Sequence, residues 1–276
     1  MRLPSNLIPD SAEAEEAVAW LRLAGGRARV EHVAEAVFQL SDPDPLTASD
    51  ILSQYLKDDW RVALAPEGVI ELRCEDAEAR ALAETEFVVF DIETTGSKRP
   101  PCRVVEIGLC RVRAGRIVAE LETLVNPCAP IPPFISALTG ITDEMVTTAP
   151  PFERVIGDVL DFIGAAVLVA HNASFDVSFL NHEIAQVYAG RKLFNPHLCT
   201  VSLARRVVPD LVNHRLHTVA EHFCVPLLRR HRAFDDARAT AEVFIRLLEL
   251  LDGHGVRDLA GARGFKLKSP ARRAVE

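Results

Sequence analysis

No apolar run in this 276-residue chain approaches the length of about 20 residues that a membrane-spanning helix needs. The first ten residues, from Met1 to Asp10, hold no apolar stretch of the kind a signal peptide uses. The expectation is a cytoplasmic protein with no membrane partner. The six cysteines, Cys74, Cys102, Cys110, Cys128, Cys199 and Cys224, include no C-x-x-C pair and none at zinc-finger spacing from a histidine. Zinc ribbons and disulfide scaffolds are thereby excluded, leaving reduced and mostly buried thiols. The chain also lacks internal repeats and low-complexity segments. What it has is 49% hydrophobic and 25% charged residues, the balance of a globular protein with a sizeable core.

The net charge of −8 is unevenly spread, because residues 1–82 carry 8 Lys+Arg against 16 Asp+Glu and residues 83–276 carry 23 of each. That balance disfavours tight non-specific binding to duplex nucleic acid, which calls for a basic surface.

Composition and pattern divide the chain into an acidic module over 1–82, an α/β domain over 83–252, and a weakly basic, mobile tail over 253–276. Three helices are predicted over about 11–24, 30–40 and 47–58, with Ser11 as an N-cap. Strand-like runs at Arg61–Leu64 and Val69–Leu72 flank a turn and form a hairpin signal. Three helices and a hairpin suggest a small winged-helix-like module. Its third helix holds three Asp and one Lys between Ala48 and Asp59, which favours protein contact or packing over DNA reading. An Ala/Glu-rich stretch over 75–86 predicts a linking helix. From Glu86 the pattern turns to strands at 86–93, 103–113 and 116–125, a helix over 155–164, a buried strand at 166–170, and one more strand near Leu193–Pro196. Strands first, then strand–helix alternation, predict an α/β domain with a mixed sheet.

Three segments carry the chemistry: Phe87-Val-Val-Phe-Asp-Ile-Glu-Thr-Thr-Gly96, His171-Asn-Ala-Ser-Phe-Asp176 and His231-Arg-Ala-Phe-Asp-Asp236. Asp91 and Glu93 are two apart on a predicted strand, so both carboxylates leave the same face. Such a pair is costly to bury unless a cation neutralises it, and hard oxygen ligands suit Mg²⁺ or Mn²⁺. Asp176 falls in the first turn of a helix beyond the carboxyl end of a strand, where open α/β sheets build their sites. In the third segment, steps of three and four from Asp235 reach Arg238, Glu242, Arg246 and Glu249, a solvated face. The same steps from Asp236 reach Thr240, Val243, Leu247 and Leu250, an apolar face. Asp236 is therefore expected against the domain body and Asp235 at the surface. His231, in the loop before this helix, suits a proton acceptor at neutral pH. His214 and His217, beside another predicted helix start, are secondary candidates for phosphate contact.

In their order and flanks these segments resemble the DEDDh family of 3′→5′ exonucleases, of which the epsilon proofreading subunit of bacterial replicative polymerases is a branch. The resemblance covers roughly residues 85–250. It extends to Asn126-Pro, Ile131-Pro, Leu138-Thr-Gly-Ile-Thr-Asp-Glu-Met145 and His217-Thr-Val-Ala-Glu-His-Phe-Cys-Val-Pro226. It implies a ribonuclease H-like mixed sheet flanked by helices. It also implies two divalent cations, Mg²⁺ or Mn²⁺, held by Asp91, Glu93, Asp176 and Asp236. Asp91, Glu93 and Asp236 would hold the cation carrying the attacking water, Asp91 would bridge to the second, and Asp176 would complete that second site. His231 would take the proton from the water. The backbone at Thr94 and Thr95 would meet the terminal nucleotide, with Leu138, Thr139 and Phe175 packed on its base and sugar. The implied partner is the 3′ end of a single strand, DNA ahead of RNA, with nucleoside 5′-monophosphates as products. A polymerase or repair partner would bind through residues 1–82. The family pattern does not require that module. The only glutamines, Gln39, Gln54 and Gln186, are not followed by the aliphatic–aromatic pattern of a clamp-binding motif. The alternatives are the same chemistry on short RNA or RNA 3′ ends, and a non-catalytic adaptor that keeps the fold for binding.

Overall fold

The computed structural model describes residues 3–65, 67–73 and 77–267. They divide into two compact units, Met1–Asp76 with Ile184–Phe194, and Ala77–Glu183 with Asn195–Glu276. The first unit opens with strand β1 (Leu7–Pro9), helix α1 (Ala12–Leu23), strand β2 (Arg27–Arg29), and helices α2 (Val30–Phe38) and α3 (Pro45–Leu56). Strands β3 (Val62–Ala65) and β4 (Val69–Leu72) follow. Ser11 caps α1 as expected, its Oγ accepting the Ala14 N–H at 3.1 Å. Helix α3 begins earlier than its apolar periodicity suggests. Asp44 accepts the N–H groups of Leu46 and Thr47 at 3.0 and 3.1 Å, and Pro45 fits the first turn, where no N–H is needed. The sheet order is β2-β4-β3, all antiparallel. Strand β2, Arg-Ala-Arg, is too short and polar to be seen by periodicity. The core gathers Val18, Leu21, Val33, Leu52 and Ile70. Beside it Arg61, 1% exposed, is paired with Asp59 at 2.7 Å and Glu15 at 3.0 Å.

Among the described residues 77–86, the linking helix expected over 75–86 is not formed. Its described part holds one 3₁₀ turn, Ala77–Ala79, after which Ala81 bridges antiparallel to Asp258. The Leu82 N–H donates to the Arg257 carbonyl at 2.8 Å, and Leu82 packs on the core of the second unit. Ala/Glu helix propensity is worth only tenths of a kcal/mol per residue, and this backbone pairing overrides it.

The second unit holds strands β5 (Phe87–Thr94), β6 (Val104–Arg113) and β7 (Arg116–Leu124), then helices α4 (Pro133–Thr139), α5 (Asp143–Thr147) and α6 (Phe152–Ile163). Strand β8 (Val167–Ala170) and helix α7 (Ala173–Val187) follow. Strand β9 (Arg191–Leu193) belongs to the first unit, where it pairs antiparallel with β1. Strand β10 (His197–Cys199) and helices α8 (Thr200–Val207), α9 (Leu216–His222), α10 (Ala233–Gly253) and α11 (Leu259–Gly264) complete the second unit. The strand expected near Leu193–Pro196 is thus two short strands on either side of Asn195-Pro196. There the Asn195 side chain donates to the carbonyls of Gly164 and Ala166 at 2.9 and 2.8 Å. The expected tail begins with structure: Leu259 and Ala262 of α11 are buried, and residues 268–276 lie outside those described.

The mixed sheet runs β10-β8-β5-β6-β7, with β5 parallel to β8 and antiparallel to β6. Strand β8 is buried along its whole length, as its apolar run predicts. Helix α10 packs across β5, β6 and β7, and Phe87 meets Phe244 edge-on with ring centroids 4.9 Å apart. Among the described residues no helix is long and apolar enough to cross a membrane.

Candidate active site

Strand β5 is central, buried along its length except at Asp91 and Glu93, which are half-buried. The alternation of the pleat turns both carboxylates to one face, as their spacing predicts. Asp176, 3% exposed, stands in the first turn of α7, reached from the end of β8 through Asn172 in a left-handed conformation (φ 80°). Asp236 stands in the first turn of α10, where its Oδ2 accepts the backbone N–H of His231 at 3.0 Å. His231 itself is left-handed, φ 59°, in the loop before the helix.

These groups converge. Carboxylate oxygens of Glu93 and Asp236 and a ring nitrogen of His231 all lie within 4.8 Å of one another. Burial pushes the Asp91 carboxyl well above the usual range, and the neighbouring charges of Asp176, Glu93, Asp236 and Glu106 add to it. Burial, then Asp236, Glu106 and Asp176, push Glu93 up to about 8. Burial raises Asp176 to about 8, although hydrogen bonds from its own N–H and that of Ile92 oppose it. Burial raises Asp236 to about 6 against the His231 hydrogen bond. Its Oδ1 is buried with no hydrogen-bond partner. Mutually repelling carboxylates with an orphaned buried oxygen fit divalent cations bound through hard oxygen donors. Burial, then the Arg230 charge, lower the pKa of His231 below its ordinary 6.5, so the ring is neutral and open to a proton at pH 7. His171 is different. Burial takes it down to about 4, and its Nδ1 and Nε2 are held by the Thr200 hydroxyl and the His214 carbonyl at 2.9 and 3.0 Å, a structural role.

The expected nucleotide contacts are spread more widely. Thr94 and Thr95 are buried just past Glu93, where a bulge shifts the β5–β6 register. Their hydroxyls are taken up locally, Thr94 donating to the Gly96 carbonyl at 2.8 Å and Thr95 accepting the Arg103 N–H at 3.0 Å. At the end of α4, Leu138 is 51% exposed and Thr139 is buried, the Thr139 hydroxyl donating to the Ile135 carbonyl. Phe175 is half-buried one residue before Asp176, its ring 5.3 Å from that of Phe179.

Asp235 corrects the sequence expectation. It is 8% exposed, not a surface residue, and pairs with Arg229 at 2.6 Å. Two further residues were missed. Glu106 of β6, fully buried, faces Glu93 in the strand register. It accepts Arg232 Nε at 3.0 Å and the Ala233 N–H at 2.7 Å, so it anchors the start of α10. Gly108, opposite Asp91, lies under the same helix start: a Cβ there would stand 2.4 Å from Phe234 Cα. A glycine and a charge inside an apolar strand were the available signals for both. A cleft of about 890 Å³ opens beside His231 and Asp236 and runs along α8 and the start of α9.

A family model described as "Exonuclease" (RNase_T) matches residues 88–244, more than half of the chain. Among curated proteins, a DNA polymerase III PolC-type from Caldanaerobacter subterraneus subsp. tengcongensis is 46% identical over 183 residues, covering 66% of this chain and 13% of that protein. The chain thus spans only a small part of the PolC-type relatives it matches. A DNA polymerase III subunit epsilon from Aquifex aeolicus is 41% identical over 170 residues, covering 62% of this chain and 84% of that subunit. Among solved structures, Exonuclease X in complex with 5′ overhanging duplex DNA aligns with a TM-score of 0.52 at 30% identity, covering 64% of this chain and 99% of that one.

Proposed function

Because the chain belongs to the exonuclease family whose model it matches, we propose that it hydrolyses single-stranded DNA from the 3′ end and releases nucleoside 5′-monophosphates. The observation that carries this is the convergence of Glu93, His231 and Asp236, with Asp176 close enough to Asp91 to raise its pKa. Asp91, Glu93, Asp176 and Asp236 would hold two divalent cations, Mg²⁺ or Mn²⁺, which would supply positive charge to the oxygens of the reacting phosphate. His231, neutral at pH 7, accepts the proton of the attacking water. The Asp236 carboxylate fixes the His231 backbone through the 3.0 Å hydrogen bond and so sets where the ring stands. The backbone at Thr94 and Thr95 meets the terminal nucleotide, and Leu138, Thr139 and Phe175 pack on its base and sugar. Such contacts tolerate any base.

The DNA assignment is supported by relatives named as DNA polymerase III proteins and by the DNA bound to Exonuclease X. A cytoplasmic role in replication or repair fits the same names. Residues 1–82, a winged-helix-like module, recruit a polymerase or repair partner. Their acidic composition suits protein contact better than DNA.

The test is product analysis on 3′-blocked, 5′-blocked and unblocked DNA and RNA strands with Mg²⁺ or Mn²⁺. Mononucleotides from free 3′ ends, DNA degraded faster than RNA, and no products from Asp91→Ala are expected. Faster cleavage of RNA by a wide margin overturns the DNA assignment. No hydrolysis of either strand by the wild type overturns the enzyme.

A further inference from the structure

The cleft beside the acidic cluster has a charge pattern that hydrolysis of a terminal nucleotide does not explain. Of its lining side chains, Asp236 at the catalytic end is the one carboxylate among the described residues. Arg205 on α8, Arg215 before α9 and Arg230 before α10 all line it, and all three are exposed. Many guanidinium groups of this unit meet acids, Arg103 lying on Glu183, Arg111 on Glu86, Arg232 on Glu106 and Arg238 on Glu120; what sets the cleft apart is that three without such a partner line one cavity. Among the described residues, Arg205, Arg215 and Arg230 have no carboxylate at ion-pair distance, and the recorded side-chain contact of Arg230 is to His217 Nδ1 at 3.3 Å. A second cleft of about 1020 Å³ shares Arg205 and continues to Lys266. Residues 83–276 are neutral as a whole, so this row of cations is a local concentration of charge and not a reflection of a basic domain.

We propose that this cleft holds the phosphodiester backbone of the substrate strand on the 5′ side of the scissile bond. The proposal rests on the exonuclease function above. An enzyme that removes a 3′ nucleotide leaves the rest of the strand attached on the 5′ side of the reacting phosphate. That remainder must leave the cluster past some wall of the site. The cleft begins at His231 and Asp236, and its unpaired guanidinium groups are spread over three separate segments of chain. Guanidinium groups offer paired donors to phosphate oxygens. Phosphate contacts carry no sequence information, which suits an enzyme acting on any base.

The experiment uses the full chain and the double variant Arg205→Glu/Arg215→Glu, with Arg205→Lys/Arg215→Lys as the charge-keeping control. Binding of fluorescently labelled 12-nucleotide DNA and RNA single strands is read by anisotropy in EDTA, which silences hydrolysis. Each lost charge-assisted contact costs about tenfold in affinity. The salt slope of a single strand falls by about 0.7 for each phosphate contact removed, so by about 1.4 for the pair. The Glu variant is expected to bind both strands at least about tenfold more weakly with the flatter slope, while the Lys control keeps most of the affinity. In the hydrolysis assay the preference for a 12-mer over a dinucleotide, too short to reach the cleft, is expected to collapse in the Glu variant. Wild-type affinity and salt slope in the Glu variant, or weakening with only one of the two nucleic acids, would overturn the proposal. The anisotropy arm stands even if the wild type hydrolyses nothing, so failure of the cleft and failure of the exonuclease function are separable.

Discussion

Replacing Asp236 by Asn is expected to stabilise the metal-free protein while abolishing its activity. In the metal-free fold this carboxylate faces Glu93, its Oδ1 is buried without a partner, and burial raises its pKa from an ordinary 3.8 to about 6. A carboxyl whose pKa is raised by folding binds its proton more tightly folded than unfolded. Its contribution is therefore most favourable below about pH 4, where both states are protonated. It is lost progressively as the pH rises to about 6 and stays lost above that. Two pKa units correspond to about 3 kcal/mol, and solvent screening of this partly open group brings the cost to about 1–2 kcal/mol. Asn removes the charge, keeps an acceptor for the His231 N–H, and adds a donor for the facing carboxylate. In EDTA at pH 8 the variant is expected to melt about 2–8 °C above the wild type, at about 2–4 °C per kcal/mol for a chain of this size. Near pH 4 the two curves are expected to coincide. Millimolar Mg²⁺ or Mn²⁺ is expected to raise the wild-type Tm and to leave the variant nearly unmoved, because cations that bind only the native site stabilise it. Scanning calorimetry over pH 4–8, with and without metal, makes the measurement. A variant that melts at or below the wild type at pH 8 in EDTA would refute the claim that burying this charge destabilises the metal-free fold.

Three further outcomes follow from the same geometry. His231→Ala is expected to lower kcat by about 10²–10⁴-fold. At saturating metal, which keeps the site carboxylates ionised, it is also expected to remove the acidic limb of the wild-type pH–rate profile, which lies below pH 6.5 because burial and Arg230 depress this pKa; a limb that persists in the variant assigns the base elsewhere. Gly108→Ala puts a methyl 2.4 Å from Phe234 Cα and so must move the start of α10. Unfolding is expected about 1–3 kcal/mol easier, with activity reduced by more than that loss explains, and full activity in this variant would show that α10 is not tightly placed. Glu106→Gln leaves Arg232 without its buried partner, with an expected cost of about 3 kcal/mol in urea unfolding and a weaker Mg²⁺ dependence of the rate.

Much of this site is legible in the chain before any coordinates. Strand alternation places Asp91 and Glu93 on one face, and the row through Thr240, Val243 and Leu247 is buried as its periodicity predicts, with Asp236 half-buried at its start. What is not legible depends on segments distant in sequence or outside the periodic element. The row through Arg238 and Glu249 does put a polar face on α10, yet Asp235, in its first turn, is covered by Arg229 from the preceding loop. Helix periodicity carries no information about a loop. The stretch over 75–86 has the composition of a helix. Its conformation is set by pairing with residues 257 and 258, far along the chain.

Glu106 and Gly108 show why the chemistry alone does not explain the site. Glu106 lies directly across the sheet from Glu93, and two like charges in that relation destabilise a strand pair. The repulsion becomes an anchor because Arg232 and the Ala233 N–H both donate to Glu106, and those groups are the last residue before α10 and the first within it. Gly108, two residues along β6, omits the side chain that would hold the same helix off the sheet. Asp236 is three residues beyond Ala233, less than one turn of helix, so its position against Glu93 and His231 is inherited from that anchor. A chain with all five site residues but a side chain at Gly108, or an apolar residue for Glu106, would keep the signature and lose the geometry. The minimal sequence for the proposed site is therefore the five residues to which the chemistry is assigned and at least two on β6 that bring the fifth of them into place.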